Sequence, residues 1–568
     1  MDAPSRRVIL LGHVKRPVRS IAAAATVILG GALALGCHAA DRVFCSSAGC
    51  GWTDLEWSRV QTLSPLPAPP PDPSNAYADS AAAAQLGQAF YFDPRFSGAS
   101  TLVDSIGRPV AAARTAKGTP VDVSCATCHD PARAGTDESS VPNTVSIGAG
   151  IYDVNSQQTL VAAYYPLLYW NGRSDSLWSQ AIAVNESGFS MNGTRLQVFW
   201  TIINDYHDRY EAVFDDPTSG RPTYPLPAAP TAAEFPLQGK PGSVAGCQAG
   251  STSEPFGDAF DCMTDDDKAT VNRVFVNFGK AIAAYEYTLA ARRDTPFDRF
   301  AHDGPGSGWI SPQAENGARL FVGKASCIDC HNTPLFSDGR FHNIGVPQAG
   351  DHVPTVEDCP ETNKSCDCAP GMEASSCLPS GVWAGALKLK ASTFRRNNPT
   401  WSDDPYEIEA CATTQIAVPV PTPPADAAAA DAVCAPDPTM KGAWRTPSLR
   451  DVALTAPYMH DGYYTTLTEV VQHYNMGGVA SATTAFQLPP CGGGDAGIAC
   501  MAAGAPAPHL AVQIKPLDLT DDEVADVVAF LETLSGPPLP ASLAQPPDAG
   551  TAPPPPDAGG PRDGSAGQ

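Results

Sequence analysis

Ser124-Cys125-Ala126-Thr127-Cys128-His129 returns about two hundred residues later as Ser326-Cys327-Ile328-Asp329-Cys330-His331. Each copy is a C-x-x-C-H site. Two thiols at this spacing reach the two vinyl groups of one porphyrin, and the adjoining histidine supplies a proximal ligand to its iron. A single copy leaves room for a redox dithiol, half of a zinc site or a fortuitous pairing in a Cys-rich chain. Two copies, each followed at once by His and neither completed by a second C-x-x-C, point instead to two covalent c-type haems.

The rest of the chain is built around these sites. Its 568 residues exceed one ordinary core. Lys and Arg number 36 against 60 Asp and Glu, a formal charge of -24 that disfavours nucleic acid and suits basic or neutral partners. Seventeen cysteines are too many for a reducing compartment. Four belong to the haem sites and Cys37 to an anchor, leaving an even set for disulfides. Cys45 with Cys50, Cys247 with Cys262, and Cys491 with Cys500 are near enough in sequence to close small loops.

Basic residues from Arg6 to Arg19 precede an apolar run, Ile21 to Leu35, and Cys37 follows small residues. Residues 1–37 therefore read as a secretory signal, too short for a spanning helix, of lipoprotein pattern although Leu33 lies one place further from the cysteine than usual. The expected location is the periplasm or cell envelope, as an outer-membrane or surface lipoprotein, with membrane contact only through the lipid. Residues 38–76 read as a Pro-rich linker, extended between Thr62 and Pro73, and 537–568 as a disordered tail. Between them the periods are helical. Val271 to Ala291 sets Val274, Phe275, Phe278, Ala281, Ile282, Tyr285 and Leu289 on one face, and Leu467–Tyr474 and Asp521–Leu534 repeat the pattern. The fold class is mainly α: two c-type cytochrome domains, 77–290 and 291–536, each around one covalent haem, with loop-rich disulfide-bearing insertions. One insertion, 347–439, carries six cysteines and is assigned to the second domain, and a shorter one, Ser219 to Asp261, interrupts the first.

Further motifs carry a family resemblance. In order they are Phe92-Asp93-Pro94-Arg95-Phe96-Ser97, the first haem site, Tyr169-Trp170-Asn171-Gly172-Arg173, Thr295-Pro296-Phe297-Asp298-Arg299-Phe300, the second haem site, Phe341-His342-Asn343-Ile344-Gly345, and the run from Arg445 to Tyr458. From about Ala84 to Gly536 the chain resembles the bacterial dihaem cytochrome c peroxidases, MauG-type enzymes included. The resemblance implies a peroxidatic N-terminal haem and an electron-transfer C-terminal haem. Its implied activity is reduction of hydrogen peroxide with electrons from a small cytochrome or copper protein. The alternatives are a MauG-like oxidase and a non-enzymatic dihaem electron carrier.

The resemblance also implies roles for single residues. Trp170 would lie between the haems, or else be a core aromatic. Asn155, with the carbonyls of Thr455 and Pro457, resembles a calcium site. Arg445 would neutralise a haem propionate or serve structurally. The sixth ligand of the second haem falls on Tyr474, with Met476 as the alternative. In the loop Ser146 to Ile151, Ala149 stands where many relatives carry a distal His, which leaves the first iron open to peroxide; His207 is expected at the surface. The family's catalytic Glu falls on Ser190, a poor proton carrier, and Glu186 is its nearest substitute, or else an exposed loop carboxylate.

Overall fold

The computed structural model describes residues 43–46, 49–104, 107–111, 114–137, 145–242, 257–290, 294–346, 381–404, 442–478 and 510–547. The signal, Cys37, Cys247, Cys491, Cys500 and the cysteines of the long insertion lie outside them.

A hairpin of β1 (Val43–Ser46) and β2 (Gly49–Thr53) sets Cys45 opposite Cys50. Then follow α1 (Asp54–Thr62), α2 (Ala81–Phe92), the one-turn α3 (Cys125–Cys128), α4 (Leu177–Glu186), α5 (Arg195–Thr201), α6 (His207–Phe214), the short α7 (Gly257–Asp261) and α8 (Asp265–Leu289). The second half holds α9 (Pro296–Asp303), α10 (Pro312–Val322), β3 (Phe341–His342), α11 (Val382–Ala391), β4 (Trp444–Arg445), α12 (Leu467–Asn475), α13 (Asp521–Glu532) and the one-turn α14 (Ala541–Ala544).

Capping explains where the periodic helices begin. Thr264 accepts from the Asp267 amide ahead of α8, whose first turn carries Asp265, Asp266 and Asp267 against the positive end of the helix dipole. Thr466 with Glu469 and Thr520 with Glu523 form capping boxes that start α12 and α13.

The apolar faces collect into two main cores. The first packs α2, α4, α5, α6 and α8 around Phe90, Trp178, Phe199 and Phe275. The second gathers Phe297, Phe300, Phe321, Phe336 and Phe530 from α9, α10, α13 and the second haem-site loop. Glycine permits the tightest crossing in each. A Cβ on Gly87 would stand 1.8 Å from the Ala281 carbonyl oxygen, and one on Gly317 would stand 1.9 Å from that of Asp526.

Three boundary expectations are corrected. Residues 38–76 are not a bare linker where they are described: Trp52, Trp57, Val60 and Leu63 belong to the second core, and Leu66 to the first. Burial of these apolar side chains outweighs the extended preference of the prolines beside them. The tail is ordered as far as residue 547, because Gln88 Nε2 donates to the carbonyls of Ser542 and Gln545 at 2.7 and 2.9 Å and Leu543 packs on the first core. The described part of the long insertion, 381–404, also packs on the first core. Phe394 is buried there, Asp175 accepts the Arg396 amide, and Asp403 forms a buried ion pair with Lys280 at 2.8 Å. Among the described cysteines Cys125, Cys128, Cys327 and Cys330 are free and Cys262 is disulfide-bonded. No helix among the described residues is long and apolar enough to cross a membrane.

Candidate functional site: two haem cavities joined by Trp170 and Arg445

Each C-x-x-C-H copy opens on its own cavity. Cys125, Cys128 and His129 line one of about 1140 Å³, solvent mouth included. Cys327, Cys330 and His331 line another of about 1350 Å³. Both are apolar-walled spaces of cofactor size.

The histidines are arranged as iron ligands need to be. His129 Nδ1 lies 3.0 and 2.9 Å from the carbonyl oxygens of Gly135 and Gln157, and His331 Nδ1 lies 2.6 Å from that of Phe336. Carbonyls only accept, so each Nδ1 carries the proton and each Nε2 keeps its lone pair for a metal. Burial lowers the pKa of both rings, which favours the neutral imidazole that ligation requires.

Between the cavities stands the Tyr169-Trp170 corner. Trp170 lines both, and its Nε1 donates to the Asn155 carbonyl at 2.8 Å. Arg445 also lines both; β4 pairs with β3, and the Arg445 amide donates to the Trp170 carbonyl at 2.8 Å. Its guanidinium lies 3.5 Å over the Tyr165 ring, yet Nη1 is buried without a partner. An unpaired buried cation donor is costly. A haem carboxylate would satisfy it, so the donor set fits two haems.

Two other motifs owe their residues to the fold. Arg450, 2 % exposed, holds both carboxylate oxygens of Asp298 at 2.9 and 3.1 Å, tying the Arg445–Tyr458 run to α9. Asp93 caps the turn after α2 and binds Arg95 and Tyr206.

Tyr474, on α12, lines the second cavity, and burial raises its phenol pKa. Met476 is 60 % exposed and absent from the wall. The alternative ligand is therefore corrected: two residues further along a helix point about 200° away. Asn155, Thr455 and Pro457 line one cavity of about 530 Å³, and the Asn155 amide donates to the Pro457 carbonyl.

In the first cavity Gly148, Phe189 and Ser190 form part of the wall, with the Ser190 hydroxyl buried and unpartnered. Ala149 is held behind them, its amide donating to the Ser190 carbonyl at 2.6 Å. His207 is far more open and pairs with Asp208. Glu186 is not in the wall. Arg195 reaches its two oxygens at 2.8 and 3.0 Å, so it is neither an exposed loop carboxylate nor a group facing the cavity.

Three further residues escaped the sequence reading. His460 lines the second cavity, stacked on Trp444 with ring centroids 4.2 Å apart, and burial lowers its pKa to about 3. Trp444 lines the same wall. Glu286 lines the first cavity at 4 % exposure. Its signal was present: a carboxylate inside the apolar stripe of α8, one turn after Ile282.

Residues 81–229 match the family model described as di-haem cytochrome c peroxidase. The cytochrome-c peroxidase IdrP1 of Denitromonas iodatirespirans is 27% identical over 495 residues, covering 86% of this chain and 90% of that protein. The methylamine utilization protein MauG of Methylorubrum extorquens is 25% identical over 534 residues, 93% and 98% of the two chains. The solved diheme peroxidase BthA of Burkholderia thailandensis aligns with a TM-score of 0.49 at 18% identity, covering 85% of this chain and 98% of that one. With two C-x-x-C-H cavities that share one Trp and one Arg, a di-haem cytochrome c peroxidase match over residues 81–229 and similarity to cytochrome-c peroxidases and MauG over most of its length, the chain is a peroxidase-like oxidoreductase.

Proposed function

We propose that the protein reduces hydrogen peroxide at the haem attached to Cys125 and Cys128, with electrons that a small cytochrome or copper protein delivers to the haem at Cys327 and Cys330. The observation that carries the reading is the shared wall: Trp170 and Arg445 line both cavities. Bound haem iron supplies the electrons that cleave the peroxide bond. The chain's own groups do the rest. His129 and His331, oriented by backbone carbonyls, hold the irons; Arg445 offers its unpaired Nη1 to a propionate; Trp170 provides the π system between the two centres. Ser190 presents the one hydroxyl at the position of the family acid, and Tyr474 is the sixth ligand of the second iron.

A second reading, a MauG-like oxidase, is favoured by Tyr474 standing in the wall where Met476 does not, since phenolate stabilises ferric iron. Steady-state peroxide consumption with a reduced small cytochrome tests the first reading. No turnover with any such donor, but peroxide-driven oxidation of a protein or small molecule, would replace it with the second. No reaction with peroxide at all would leave an electron carrier.

Two subsidiary assignments belong here. We infer calcium at Asn155, Thr455 and Pro457, supported by their convergence on one cavity, with the Asn155 amide turned to present its oxygen. A periplasmic or envelope location, through lipidated Cys37, rests on the signal pattern and the cysteine content, and cell fractionation with mass analysis of the mature N-terminus checks it.

A further inference from the structure

Glu286 is a carboxyl group with no role in the scheme above. It projects from α8 into the wall of the first haem cavity, one turn from Ile282, at 4 % exposure. Its Oε2 is buried and has no hydrogen-bond partner. The titratable groups that face it are Tyr91 from α2, Cys125 from the haem-attachment turn and Tyr285 of its own helix; Asp130 acts on Tyr285 in turn.

Each of these neighbours is committed elsewhere. The Tyr91 hydroxyl donates to the His129 carbonyl at 2.7 Å and meets Thr159 Oγ1 at 3.2 Å. The Tyr285 hydroxyl donates to the Leu543 carbonyl. On the haem reading, the Cys125 sulfur is committed to one of the two vinyl groups. A lone buried carboxylate without donors is costly, so its charge must be answered by something else in the cavity. Burial accordingly raises the Glu286 pKa to about 8, with no cation acting against it.

We propose that Glu286 is the proton acceptor coupled to reduction of the first haem. This rests on the reading that the cavity at Cys125 and Cys128 holds a haem. Ferric iron brings positive charge that favours the Glu286 carboxylate. When one electron from the donor protein reduces the iron to ferrous, that charge is lost, and Glu286 takes one proton from solvent to become the neutral acid. One electron and one proton enter together, so the cavity's net charge does not change. Reduction of the first haem therefore becomes harder as pH rises through the range in which Glu286 titrates, while the second haem does not follow.

The test is spectroelectrochemical titration of the haem-loaded protein between pH 6 and about 9.5. The expected result is a first-haem reduction equilibrium that falls up to tenfold per pH unit, about 59 mV for a one-electron couple, over part of that range. Glu286→Gln should flatten the dependence without changing haem content or the slope of the second haem. A parent protein with a flat first-haem potential overturns the proposal. So does a Glu286→Gln variant that keeps the parent's slope, the result expected if a propionate or an iron-bound water titrates instead. If the variant fails to load haem, redox-difference infrared spectroscopy of the parent decides: a buried carboxylic acid C=O band that grows on reduction and shifts in D2O supports the proposal, and its absence overturns it. Failure of the functional reading looks different. Fewer than two haems by mass, or no peroxide turnover, would remove that reading, and a haem-loaded but inactive protein with an intact slope would leave this one standing.

Discussion

Ser190 and Glu186 lie within one turn's length of each other in sequence and face different surroundings. Ser190 ends in the cavity wall, whereas Glu186 closes the end of α4 against Arg195. Restoring an acid with Ser190→Glu should therefore raise the rate of peroxide cleavage, toward the 10²- to 10⁴-fold typical of a positioned acid-base group; an unchanged rapid-mixing rate would show that the wall position does not reach peroxide. Glu186→Gln should leave that rate alone and cost about 1.5–3 kcal/mol in denaturant unfolding, the worth of a charge-assisted pair at a largely buried site. At the second cavity Tyr474→Phe should change the ferric spectrum of that haem. Met476→Leu should not, and a spectral change there would reinstate the thioether.

At the scale of elements, helix contacts and short strands set the cavities. Gly87→Ala drives a methyl into the Ala281 carbonyl, so α2 and α8 must separate. A loss of about 2 kcal/mol or more is expected by thermal unfolding, since an overpacked crossing cannot relax without moving the backbone. The hairpin and α1 act on the opposite half: Trp57 packs edge-to-face on Trp52 and Phe300 at 5.4 Å each, and Trp52 Nε1 donates to Glu315. Trp57→Ala should destabilise the second core by about 3–5 kcal/mol, read as earlier loss of the second haem's absorbance in denaturant while the first persists.

Across the whole molecule, residues 381–404 cross from the second half onto the first core, and Asp175 is one of their anchors. Its two oxygens accept the Arg396 amide at 3.1 and 3.0 Å, and burial raises its pKa to about 6. A carboxyl whose folded pKa is raised binds more protons folded than unfolded between about 3.9 and about 6. Its contribution to stability is therefore present at low pH and declines as pH rises through that interval. Relative to Asp175→Asn, the parent should lose roughly 2 kcal/mol between pH 4 and pH 6.5. Urea titrations of both proteins at several pH values check this, and a pH-independent difference would rule it out.

Local patterns were sufficient for what local forces decide. The C-x-x-C-H spacing is a local signature of covalent haem attachment, because two thiols and one imidazole act within six residues. Helical starts at Thr466 and Thr520 follow from side chains that reach a backbone amide three residues away, whereas α8 begins at Asp265, ahead of the expected Val271, on the same kind of cap at Thr264. The family resemblance singles out Trp170 and Arg445, but 275 positions of sequence separate them, and only packing brings both into the shared wall. The same applies to the errors. Proline content suggested free spacers, yet Leu63 and Leu66 bury because apolar surface on two distant cores was available to receive them. Glu186 was drawn from sequence proximity to the family position and is claimed by Arg195, while Glu286, a hundred residues further on, enters the cavity from α8. Which carboxyl enters the cavity depends on which face of a long helix is turned toward it, and that is decided by tertiary packing.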